Sequence, residues 1–131
     1  MADYSWDHVH IKTYDVQSSA GWFQDKLGAR PMQGTEVTAA RADLVLGGVR
    51  VLLTEVKQGD GTNPTPAIPY AGFEHFGLGV RDLDKVAAEL KGKGVEFTRE
   101  PVTPRPGIRI CFIRSPQGIS IELLERDAKY K

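Results

Sequence analysis

The side chains best equipped for chemistry are a histidine near the start, His8, a second one, His75, and a late carboxylate, Glu122. Imidazole and carboxylate groups move protons or hold metal ions, so their spacing is the first thing to explain. His8 opens HVHIKTYD and His75 opens HFGLGVRD, each running through apolar residues to an aspartate seven positions on. His75 follows His8 by 67 residues, and Asp82 follows Asp15 by the same 67. On a strand alternate side chains share a face, which groups His8, His10 and Lys12 apart from Val9 and Ile11. His75 likewise shares a face with Gly77 and Gly79, while Phe76, Leu78 and Val80 make the apolar face. In the last strand Ile119, Ile121 and Leu123 are the expected buried set, which leaves Ser120 and Glu122 on the other side. Two pseudo-symmetric histidines and one carboxylate are thereby expected to converge in the mouth between two repeated modules.

The elements that must position them repeat as well. After the first strand, Val16, Ala20, Phe23 and Leu27 mark one face of a helix, with Asp15 as N-cap and Gly28 closing it. After the His75–Val80 strand, Leu83, Val86, Ala87 and Leu90 mark a second helix capped by Asp82 and ended near Gly92 and Gly94. Residues 37–42 and 44–46 are weaker strand candidates, Gly47-Gly48 a hairpin turn, and Val49–Val56 a clear strand. In the second half Val95–Thr98 reads as a short strand and Pro101–Gly107 as a turn. Ile108–Arg114 reads as a strand, Ser115–Gly118 as a β-turn and Ile119–Glu125 as the last strand, followed by a frayed tail. Val16 maps onto Leu83, Ala20 onto Ala87 and Phe23 onto Leu90 at an offset of 67. In the hairpins the offset is 70, pairing Gly48 with Gly118, Val51 with Ile121, Leu53 with Leu123 and Glu55 with Glu125.

The expected fold class is α+β, two βαβββ modules forming a curved mixed sheet around a central site. Residues 1–131 make a single domain, with module one at about 6–56, a linker at 57–72 and module two at about 73–126. Tyr70, in that linker, leans toward the site in this reading. Trp6 and Trp22 are assigned to packing.

Composition narrows the function classes. Seventeen basic residues balance seventeen acidic ones in 131, with no long run of one sign. Neither nucleic-acid nor membrane binding gains electrostatic support, and no apolar stretch reaches the ~20 residues of a membrane span. The lone cysteine, Cys111, sits in ICFI as a buried small hydrophobe and suits a reducing cytoplasm. The first residues show no signal-peptide pattern, so a cytoplasmic location is expected. No phosphate-binding glycine loop or nucleophile elbow is present.

HVHIKTYDVQSSAGWFQDKLGA, HFGLGVRDLDKVAAELKGKG and SPQGISIELLE together resemble the vicinal-oxygen-chelate superfamily of glyoxalase I, extradiol dioxygenases and bleomycin-resistance proteins. The resemblance covers nearly the whole chain. It implies one divalent metal ion (Fe, Mn, Co, Ni or Zn) on His8, His75 and Glu122. Two histidines and one carboxylate leave positions open on such an ion for a substrate's two neighbouring oxygens. Implied with it are a small-molecule substrate, a homodimer, and lyase or isomerase chemistry through an enolate or oxyanion. Lys12, Tyr70 and Arg109 are the candidate substrate contacts. An Fe(II) extradiol-type dioxygenase and a metal-free small-molecule binding or resistance protein are the competing readings.

One position departs from the pattern. Relatives of the glyoxalase-I kind commonly take a fourth ligand from the strand equivalent to Val49–Val56, yet the repeat puts Leu52 opposite Glu122. Glu55 corresponds to Glu125 and falls on the other face, so three ligands are expected. The catalytic base must then be Glu122 itself, His10 or metal-bound hydroxide, with His10 favoured in the first strand because it shares the face of His8.

Overall fold

Two compact units make up the chain, and their boundary falls between Asn63 and Pro64. The computed structural model describes residues 2–130. The class is α+β, each unit pairing one helix with a four-stranded mixed sheet.

In the first unit β1 (His8–Thr13) leads into α1 (Val16–Leu27), followed by β2 (Arg30–Pro31), β3 (Arg41–Leu46) and β4 (Val49–Glu55). The sheet order is β1-β4-β3-β2, with β1 parallel to β4 and the other pairs antiparallel. Asp15 starts the helix by accepting the Ser18 N–H at 3.0 Å, a cap worth about 1 kcal/mol. Gly28 ends it at φ 73°, the left-handed conformation glycine adopts without penalty. Val16, Ala20 and Phe23 on the helix are buried, as are Leu44, Val51 and Leu53 on the strands it packs against. Each large side chain buried in this way contributes about 1.5–3 kcal/mol. The buried hydroxyls of Thr13 and Ser19 satisfy one another at 2.7 Å.

In the second unit β5 (His75–Gly79) precedes α2 (Leu83–Gly92), then β6 (Glu96–Arg105), β7 (Ile108–Arg114) and β8 (Ser120–Arg126). The order β5-β8-β7-β6 repeats that of the first unit, with β5 parallel to β8. Asp82 caps α2 by accepting the Lys85 N–H. A second carboxylate joins it, for Glu125 Oε1 accepts the Leu83 N–H at 2.9 Å. Leu83, Ala87 and Leu90 are buried beside Cys111, Ile113, Ile121 and Leu123.

Backbone pairing preserves the repeat. His8 stands opposite Arg50 and His10 opposite Leu52, whereas His75 stands opposite Ser120 and Gly77 opposite Glu122. Leu52 and Glu122 therefore occupy equivalent places.

Several details differ from the sequence expectation. The β6 strand runs on through Pro101 and Pro104 instead of ending near Thr98. It lies at the sheet edge, where missing N–H donors are tolerated, and its pairing with β7 slips at three places. A single strand at Arg41–Leu46 replaces the two weaker candidates, and the two-residue β2 was not expected. The last strand reaches Arg126 before a short helical turn replaces the expected frayed tail. Ser120 is only 2% exposed, while Ile119, between the turn at 116–118 and β8, is half-buried. Phe76 and Leu78 on edge strand β5, and Val80 just after it, are half-buried. Trp6 is 79% exposed and does not pack, whereas Trp22 is half-buried and meets Phe23 edge-on.

Candidate functional site

In the second unit His75 and Glu122 come together on the sheet face opposite α2. Parallel pairing places Gly77 beside Glu122, and His75 lies two residues before Gly77 on the same face. A Cβ on Gly77 would press on Leu124 Cδ2 at 3.1 Å and reach Glu122 Oε1 only in ordinary contact at 3.8 Å. His75 Nε2 stands 3.5 Å from Glu122 Oε1, with the side chains 33% and 22% exposed. The ring of Phe112 packs edge-on against the imidazole, 5.1 Å between centroids.

The other ring nitrogen decides what Nε2 can do. His75 Nδ1 is 2.8 Å from Glu74 Oε1. A carboxylate only accepts, so Nδ1 carries the hydrogen and donates. In the neutral ring Nε2 then presents a lone pair to another carboxylate. Two acceptors facing each other at this distance are stable with a cation shared between them, either a proton on the ring or a metal ion. The atoms are close enough for both to bond one ion at the ~2.0–2.2 Å usual for histidine and carboxylate ligands. The pair fits a divalent metal, with Glu74 fixing the ring as an outer partner.

The first unit repeats part of this arrangement. His8 Nδ1 donates to Asp7 Oδ2 at 2.7 Å, and that bond, with Arg50 nearby, holds the Asp7 carboxyl below the usual carboxylate range. His8 thus also presents Nε2 as its free nitrogen. His10 and Lys12 share its exposed face, with the His8 and His10 rings 6.3 Å apart. His10 Nε2 is 2.8 Å from Thr54 Oγ1. Partial burial first, then the positive charges of Lys12, His8 and Arg41, push its pKa below the ordinary imidazole value. Leu52, opposite His10, offers no ligand, and Glu55 lies opposite buried Thr13 at the helix-facing side of the sheet. Its counterpart Glu125 is the one that caps α2.

Asp7 and Glu74 were absent from the sequence reading. Their signal was present: each immediately precedes its histidine, and they too are 67 residues apart. Among the described residues no group of three or more His, Cys, Asp or Glu side chains gathers on one point.

Two candidate substrate contacts lie elsewhere than expected. Arg109 shares the helix-facing side of β7 with buried Cys111 and Ile113, and its guanidinium grips Asp84 of α2 at 2.7 and 3.0 Å. It also donates to Thr103, so its hydrogen bonds serve the fold. The Tyr70 hydroxyl donates to the carbonyls of Phe73 and Glu74 and steadies the chain entering β5. Lys12 remains exposed beside His10.

A groove of about 610 Å³ runs along the same face from Glu122, lined by Gly77, Gly79, Arg81, Leu124 and Arg126 among others. Its size suits a small ligand.

Comparisons with known proteins agree with this architecture. The sequence profile of the Glyoxalase/Bleomycin resistance protein/Dioxygenase superfamily matches residues 5–123. An uncharacterized Bacillus subtilis protein, YwkD, is 30% identical over 123 residues, 91% of this chain and 94% of that protein. A probable lactoylglutathione lyase of Synechocystis is 26% identical, covering 93% of this chain and 95% of its own. A probable chloroplastic lactoylglutathione lyase of Arabidopsis thaliana is 46% identical over 57 residues, 43% of this chain but 16% of that longer protein. Among solved structures, a glyoxalase family protein from Enterococcus faecalis superposes with a TM-score of 0.74 at 23% identity, covering 92% of this chain and 97% of that one. A fosfomycin resistance protein from Listeria monocytogenes gives 0.73 at 14%, covering 98% of each.

Proposed function

Since this chain belongs to the Glyoxalase/Bleomycin resistance protein/Dioxygenase superfamily, we propose that it is a metal-dependent lyase or isomerase. Its substrate is a small molecule with two adjacent oxygens. The observation that carries the reading is the facing pair His75 Nε2 and Glu122 Oε1, 3.5 Å apart, with the far nitrogen of His75 already engaged by Glu74. His75 and Glu122 supply two ligands, and His8, held by Asp7 as His75 is held by Glu74, has the same free Nε2 to offer a metal ion.

A bound Fe, Mn, Co, Ni or Zn ion would act there as a Lewis acid toward charge developing on the substrate's oxygens. The protein's own groups do the rest. Glu74 and Asp7 keep the imidazoles in the tautomer that leaves Nε2 available. His10, its pKa pushed down by partial burial and by Lys12, is able to take a proton at Nε2 once released from Thr54. Glu122 is the other base within the site. Lys12, exposed on the face of His10, neutralises negative charge on the substrate. The lyase names of the Synechocystis and Arabidopsis relatives favour this chemistry. The reading also includes a homodimer and a reducing cytoplasm, the latter in keeping with the free thiol of Cys111.

Metal analysis of protein purified without chelator tests the reading. Stoichiometric metal that is lost in His75→Ala and in Glu122→Gln is expected, together with turnover of a 2-oxoaldehyde hemithioacetal. Protein that is folded and metal-free in wild-type form would sink it in favour of a small-molecule binder. The donor set of two histidines and one carboxylate also suits Fe(II) dioxygenases. Fe(II)-dependent oxygen uptake with a catechol would move the assignment to that class.

A further inference from the structure

The groove beside Glu122 has two chemically different ends. At one end stands Glu122, whose carboxylate faces His75 from within the groove lining. At the other stand Arg81 and Arg126, both lining the groove and both exposed. Ser120, Glu122, Leu124 and Arg126 alternate along β8 and share one face. Glu122 and Arg126 are thus about 13 Å apart along the strand, from four steps of roughly 3.3 Å. In the same unit Arg109 pairs with Asp84 and Arg114 with Glu96. Arg81 and Arg126, like Arg99 and Arg105, have no carboxylate partner among the described residues, and of these four only Arg81 and Arg126 line the groove. The floor between the two ends is bare: Gly79 has ordinary backbone angles, and a Cβ built on it would meet nothing within 4 Å.

The geometry points to Arg81 and Arg126 as the specificity end of this groove, taking a carboxylate carried by the substrate at the end remote from its chelating oxygens. This inference rests on the metal-dependent reading above, and it narrows the substrate to an anionic, elongated small molecule. Guanidinium groups offer paired N–H donors in a fork that matches the two oxygens of a carboxylate. Two such forks line the groove at Arg81 and Arg126. Gly79 keeps the passage between the ends clear, and Leu124 gives the ligand's carbon chain an apolar wall.

Two probes of equal chain length separate this from simple chelation. Both 2-oxoglutarate and 2-oxovalerate carry a 2-oxo acid head, and only the first has a distal carboxylate. In Mn2+-loaded protein, calorimetric titration should show 2-oxoglutarate binding at least tenfold tighter. That ratio should fall toward one in Arg81→Ser and in Arg126→Ser, and below one in Arg126→Glu. Gly79→Val should weaken both probes about tenfold by filling the passage. A wild-type ratio near one, a ratio that survives the Arg81→Ser/Arg126→Ser double variant, or unaltered binding in Gly79→Val would each overturn the inference. If the wild-type protein takes up no metal, the reading of the preceding section fails by itself. Glutarate titrated into metal-free protein then decides the present one: binding weakened about tenfold by Arg126→Ser supports it, and no binding or no change overturns it.

Discussion

His75 Nε2 and Glu122 Oε1 face each other at 3.5 Å across two parallel strands, and Glu74 holds the opposite side of the same imidazole. The chain thereby fixes a histidine tautomer with a residue adjacent in sequence and turns its other nitrogen to a carboxylate 47 positions away. His8 has the same support from Asp7.

The first expectation concerns these supports. Glu74→Gln and Asp7→Asn retain side-chain size but replace a charged acceptor with an amide. Metal affinity, measured by competition with a chromophoric chelator, should fall about ten- to a hundredfold in each, the usual effect of removing an outer partner. Affinity unchanged in both would mean that neither carboxylate orients a ligand.

Arg109 should be dispensable for chemistry. Its guanidinium is taken by Asp84 and holds that carboxyl below the usual range. Arg109→Met should leave metal content and KM unchanged while lowering the thermal midpoint slightly. A several-fold rise in KM would restore it as a substrate contact.

Glu125 belongs to α2, not to the site. Glu125→Gln retains an acceptor for the Leu83 N–H, whereas Glu125→Ala removes it. Urea unfolding should show a loss of about 1 kcal/mol for the alanine variant and less for the glutamine, as for other helix N-caps. Metal uptake should be the same in both.

Cys111 predicts a pH dependence. Burial pushes its thiol up to about 11 from an ordinary value of 9.0. The folded state therefore holds this proton more tightly than the unfolded one. The resulting stability is fully present below pH 9 and drains away as pH rises toward 11. The urea midpoint of wild type should fall more steeply across that window than that of Cys111→Ala. Iodoacetamide should label the thiol at pH 8 only after unfolding.

The sequence was most legible where burial imposed a period. Val16, Ala20 and Phe23, and again Leu83, Ala87 and Leu90, announced both helices because one face of each had to be apolar. The equivalence of Leu52 and Glu122 followed from the repeat and matches the observed strand pairing. Legibility failed where an element answers to something other than periodicity. Pro101 and Pro104 argued for a turn, but an edge strand has no neighbour on one side and accommodates them. Arg109 looked free because the adjoining buried pair Ile110 and Cys111 blurs the alternation that would have assigned its face. Asp7 and Glu74 passed unnoticed because periodicity says nothing about a residue whose task is to hold its neighbour.

The pairing of Gly77 with Glu122 in one sheet and His10 with Leu52 in the other sets a rule for how the two halves can drift apart. Glu122 has an empty position across from it, whereas a glutamate at Leu52 would arrive against an imidazole already bonded to Thr54. Changing one member of such a pair alone leaves either a crowded charge or a hole. A carboxylate introduced at Leu52 would therefore call for a second change at His10, the position across the strands from it.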